Sequence, residues 1–215
     1  MKRAGYLALA VWILIPALAQ SLTLREAYKV ALPVALEWNP AAGLHDAHSA
    51  DWGDDDPKEG IDGKRSHWYI NFSTPEMVGQ RDADASETGA GNILFVEVAD
   101  GKVIDRFTAT GPVMWHLIAP EEIPDTTAIA RSAIKAGLRP SNDFAFGIHF
   151  ALYRNDNVYS GEPTVAEIPQ GTVFLEVIGR RDPGVLPQEV EDIPGAGSLS
   201  YLYFNSRGEL LMEIN

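Results

Sequence analysis

A helical period gives way to strand periods twice along this chain, and that order constrains the fold more than any single motif. Thr23-Leu24-Arg25-Glu26 reads as a capping box: the Thr23 hydroxyl accepts from the amide of Glu26, and the Glu26 carboxylate returns to the cap. A helix starts there, with Leu24, Ala27, Tyr28, Ala31, Val34, Ala35 and Trp38 on one stripe. Pro33 lacks a backbone donor and crowds Lys29, so the helix is expected to kink or end nearby. Strand-like runs follow at Trp68 to Phe72, Ile93 to Val98, Lys102 to Phe107 and Pro112 to Ile118. Asp100-Gly101 supplies the positive-φ pair of a tight hairpin between the second and third.

After Ala119 to Pro124, a proline-bearing linker, the pattern restarts. Asp125 caps a helix with Ile129, Ala133, Ile134 and Leu138 on its stripe, and Gly137 and Pro140 stop it. Strands are expected at Phe144 to Tyr153, Thr172 to Ile178, Leu199 to Phe204 and Glu209 to Ile214. Both halves thus read as one helix and four strands, an order that a duplicated unit would produce. The expected fold is α+β, a helix packed on antiparallel sheet in two tandem α-β-β-β-β units. The first unit spans 20–119 and carries an acidic insertion at 45–63, read as a solvated loop; the second spans 120–215.

The first nineteen residues read as a secretory signal peptide, not as structure. Lys2 and Arg3 precede an uncharged run to Pro16, and Ala17-Leu18-Ala19 has the small-x-small form of a cleavage site. The run is too short for a bilayer span, so no membrane anchor is expected after processing. Export to the periplasm or the medium is the expected address. Removing Lys2 and Arg3 from the 17 basic residues leaves 15 against 30 acidic ones. Such a surface opposes nucleic acid and anionic lipid and suits a basic partner or a divalent cation. There is no cysteine, which excludes disulfides, thiol catalysis and lipidation at the cleavage site, and leaves packing of the 46% apolar residues to hold the fold.

Two groups of side chains stand out as candidate sites. His45 and His48, with Asp51, could converge on a divalent cation, since a His-x-x-His pair fits one helical turn. That pattern supports a metal-binding protein or a metal-dependent hydrolase using residues 45–56. The other group is a surface: His67, Tyr69 and Asn71 share one strand face, as do His149 and Tyr153 in the second half. If the helices cover the opposite faces, these side chains form an aromatic and imidazole row of the composition used by interfaces; burial between the halves is the competing outcome. Glu97 and Glu176 interrupt apolar strands and are expected to face solvent. Asp82-Ala83-Asp84 opens like a calcium loop but lacks the required glycine and closing glutamate, and there is neither a nucleophile elbow nor a phosphate-cradling loop.

Leu22 to Ala31, Trp68-Tyr69-Ile70-Asn71-Phe72 and the Ile93 to Val103 hairpin together resemble the PepSY family of small exported domains; Tyr201 to Leu210 is a looser version of that hairpin. The resemblance implies a helix on an antiparallel sheet, a binding or protease-inhibiting role, and no catalytic residues. The functional expectation is an exported, non-catalytic binding or inhibitory module with a protein or peptide partner in the envelope and no cofactor.

Overall fold

The computed structural model describes residues 20–49, 59–78, 91–111, 116–140, 147–155, 167–181 and 199–214. The signal segment, Asp51, the Asp82 loop and residues 112–115 lie outside them. Within them, nine strands form one antiparallel sheet, and two α-helices lie on one of its faces.

Helix α1 (Leu24–Trp38) begins at the capping box: the Glu26 amide donates to Thr23 Oγ1 at 3.3 Å, and Thr23 N donates to Glu26 Oε2 at 2.8 Å. Its buried face is Leu24, Ala27, Tyr28, Ala31 and Ala35, with Val34 and Trp38 at the margin. The helix does not end at Pro33. That residue sits on the exposed side, where water can take the carbonyl of Lys29 that proline leaves without a donor. Helix α2 (Thr126–Lys135) is capped by Asp125, which accepts from Thr127 N at 2.9 Å, and buries Ile129, Ala130 and Ala133.

Strands β1 (Gly43–Ser49), β2 (His67–Ser73), β3 (Ile93–Ala99) and β4 (Lys102–Ala109) form an antiparallel meander after α1. The β3–β4 turn holds Asp100 at φ 52° and Gly101 at φ 74°, as a tight hairpin requires. After α2 come the short β5 (Leu138–Arg139), then β6 (His149–Arg154), β7 (Val173–Arg181), β8 (Leu199–Asn205) and β9 (Leu210–Ile214). The strand order is β4-β3-β2-β1-β6-β7-β8-β9, with β5 beside β7. The two meanders therefore meet first strand to first strand.

Two sequence expectations fail here, and they offset each other in the count. The described parts of residues 45–63 are not a solvated loop: Gly43–Ser49 is a strand, and Glu59 to Arg65 folds back against the core. Conversely, Ile118 makes only an isolated bridge to Leu44, so the strand expected at Pro112 to Ile118 is absent from its described part. In consequence, His149 and Tyr153 lie on β6, which corresponds to β1 and not to the strand of Tyr69.

One core serves both halves. Trp68, Ile70, Phe72, Val96 and Val98 from the first meander join Phe150, Leu152, Leu175 and Val177 from the second, under both helices. Trp68 is fully buried, stacks on Phe150 with ring centroids 6.2 Å apart, and donates from Nε1 to Leu22 O at 2.9 Å. The segment before β2 knits the two ends together. Gly63 O accepts from Thr126 Oγ1 at 2.6 Å, Ile148 N donates to Glu59 O at 2.9 Å, and the buried Arg65 faces Glu59 at 3.8 Å.

Candidate functional site

Because both helices cover one face, alternation places every second side chain of each strand on the other. The ladder registers then align one row across the whole sheet: Asp105, Glu97, Tyr69, His48, Ala151, Glu176, Tyr203 and Met212. A neighbouring row holds Phe107, Phe95, Asn71 and Asp46 in the first meander and Phe174 and Asn205 in the second, with Tyr153 opposite Phe174. The two sequence-derived groups therefore share one face. His48 of the expected metal cluster lies opposite Tyr69 of the expected surface.

The focus of this face is Asp46, which lies between the two histidines of the expected metal cluster. A register shift between Leu44 and Asp46 marks a bulge, which seats His45 beside Asp46 instead of on the far side. Asp46 Oδ2 takes a hydrogen bond from His45 Nδ1, Oδ1 accepts from Asn71 Nδ2 at 2.6 Å, and His48 Nδ1 stands 3.9 Å from Oδ1. The carboxylate is almost buried, and burial of a charge is tolerated only where such donors surround it.

Around that focus the side chains form a chain of contacts. The Tyr69 ring lies between His48 and His67, with centroids 5.2 and 5.6 Å away. His67 Nε2 meets Glu97 Oε1 at 2.5 Å, so Glu97 is half-buried and hydrogen-bonded instead of simply solvated. Forty-one per cent of the His48 side chain stays open, yet lost hydration holds its imidazole below the ordinary 6.5, against the opposing pull of Asp46.

The remaining expected residues are spread along the same face. His149 is buried at the seam between the meanders, where its Nδ1 lies 3.2 Å from Ser49 Oγ. Ser49 Oγ also accepts from Phe150 N at 3.1 Å, extending the β1–β6 pairing beyond Ala47 opposite Leu152 and His48 opposite Ala151. Tyr153 is half-buried against Phe174, which packs on Tyr203, with Tyr201, Met212 and Ile214 around them. The face is thus polar over the first meander and tyrosine-rich over the second.

The helical turn on which the metal expectation rests is not present among the described residues. His45 and His48 lie on a bulged strand and not on a helical turn, and His45 Nδ1 is taken by Asp46. Asp51 lies outside the described residues, and among those described no three His, Asp or Glu side chains are grouped so as to hold an ion. Among the described residues no helix is long and apolar enough to cross a membrane.

No family model and no curated protein matches the chain, so the PepSY resemblance rests on the residues that carry it. A solved structure, that of a candidate lipoprotein from Clostridium difficile 630, aligns over 89% of this chain and 97% of its own, with 10% identity and a TM-score of 0.46.

Proposed function

We propose that the protein is an exported, non-catalytic binding module that holds a protein or peptide partner of the cell envelope on the sheet face opposite its helices. The observation that supports this most directly is the continuous row from Asp105 to Met212 and the row beside it, which set Tyr69 and Asn71 among carboxylates and imidazoles and Tyr153 against Phe174. Aromatic side chains with a polar handle are what protein interfaces use at their centres. The PepSY-like helix and hairpin agree with a binding or inhibitory role, and the signal segment with work outside the cytoplasm.

The test is capture from an envelope extract by the chain lacking residues 1–19, followed by identification of the retained protein. Tyr69→Ala combined with Tyr153→Ala is expected to abolish that capture while leaving the fold intact by circular dichroism. Undiminished capture by the folded double variant would overturn the assignment of this face.

A further inference from the structure

We propose, resting on that reading of the face opposite the helices, that its partner presents a basic peptide segment, with an arginine or lysine side chain seated against Asn71 and Asp46 beside Tyr69. Asn71 is 3% exposed, and its Nδ2 donates to Asp46 Oδ1. An ionised carboxylate only accepts, so the amide must turn its nitrogen that way. Among the described residues, Asn71 Oδ1 is then left buried with no hydrogen-bond donor. An orphaned buried acceptor has a cost that an incoming N–H donor removes. Because the oxygen is covered, the group that reaches it is slender: an ammonium or guanidinium on a long stem.

Charge points to the same chemistry. The two rows carry Asp105, Glu97, Asp46 and Glu176 and neither Lys nor Arg, on a chain of net charge −13. Phe95 and Phe107, stacked at 4.9 Å, and Tyr69 add aromatic faces to which cations are drawn. Glu97, Asp46 and Glu176 lie on β3, β1 and β7, two strands apart each time, which is about 10 Å. One metal ion cannot bridge that span. A polyproline II peptide repeats its side-chain direction over about 9 Å, every third residue, and can address all three.

The probe is a labelled peptide with arginine at every third position, titrated into the chain lacking residues 1–19 and followed by fluorescence anisotropy. Saturable binding is expected, weakened tenfold or more by Asn71→Leu, which changes no charge, and by Glu97→Gln. Glu37→Gln, on the helix side, should leave it unchanged. Absence of saturable binding to the native chain overturns the proposal. So does equal weakening by Glu97→Gln and Glu37→Gln, which would mean diffuse attraction; that comparison decides even if Asn71→Leu fails to fold. If the double tyrosine variant loses its envelope partner while the native chain ignores the arginine peptide, the face remains a binding surface and only the basic ligand falls.

Discussion

His48 faces Tyr69 across the β1–β2 ladder with ring centroids 5.2 Å apart, and Asp46 lies 3.9 Å from the same imidazole. Lost hydration favours the neutral ring, so the unfolded chain binds a proton here more readily than the folded one. Stability contributed by neutral His48 is therefore complete above the ordinary value of 6.5 and is lost as pH falls from there through the lowered folded value. Urea midpoints at pH 7.5 and pH 5 should differ less in His48→Gln than in the native chain. Equal differences would contradict the account.

The capping box makes a prediction at lower pH. Glu26 is held below the ordinary 4.5, first by the Thr23 amide and then by the Thr23 hydroxyl. A lowered carboxylate stabilises above its unfolded value and loses that contribution as pH falls through its folded one. Thr23→Ala should cost about 1 kcal/mol in denaturant unfolding at neutral pH. Glu26→Gln should flatten the acid limb of the stability curve, and an unchanged acid limb would exclude this origin for it.

Two glycines with the same backbone sign should respond differently to alanine. Gly60 sits at φ +83°, and a Cβ there would stand 2.1 Å from the carbonyl oxygen of Ile148; Gly171 sits at φ +81° with nothing within 4 Å. Gly171→Ala should cost about 1 kcal/mol, the left-handed penalty alone. Gly60→Ala must in addition push the 59–65 segment off the start of β6, and its melting temperature should fall well below that of Gly171→Ala.

The seam is the place to look for local opening. Ser49 Oγ accepts the Phe150 amide proton where direct strand pairing ends. Ser49→Ala leaves that buried amide unsatisfied, which should cost about 1–3 kcal/mol. Hydrogen exchange at Phe150 and Ala151 should accelerate more than in the middle of β7. Protection at Phe150 equal to that of the native chain would show that Ser49 does not hold the seam.

Where local chemistry decides, the sequence was readable. Thr23 and Glu26 announce a helix because both partners lie within one turn, and Asp100-Gly101 announces a hairpin because few residues adopt positive φ. Strand β1 escaped for a definite reason. Its bulge at His45 breaks the period-two alternation of Leu44, Ala47 and Ser49, and its polar side chains resemble those of the acidic residues after it. The burial of Asp46 was hidden with it, since a carboxylate beside two imidazoles looks the same in a loop as under a sheet face. The tyrosine and histidine row needed less: alternation put His67, Tyr69 and Asn71 on one face, but only the β1–β6 pairing, a contact between residues about a hundred positions apart, brings that face against His149 and Tyr153.

Joining the meanders by their first strands makes Ala119 to Pro124 part of the join: Ile123 is buried in the shared core, and Arg25 Nε donates to its carbonyl at 2.7 Å. Each half keeps its own helix and consecutive strands, and what unites them is a surface of Trp68 against Phe150, Thr126 against Gly63 and a short stretch of ladder. In thermodynamic terms the two meanders are one cooperative unit, since opening either side of that shared core exposes the apolar face of the other. A break at Ala119 to Pro124 therefore falls inside the core and not between two cores.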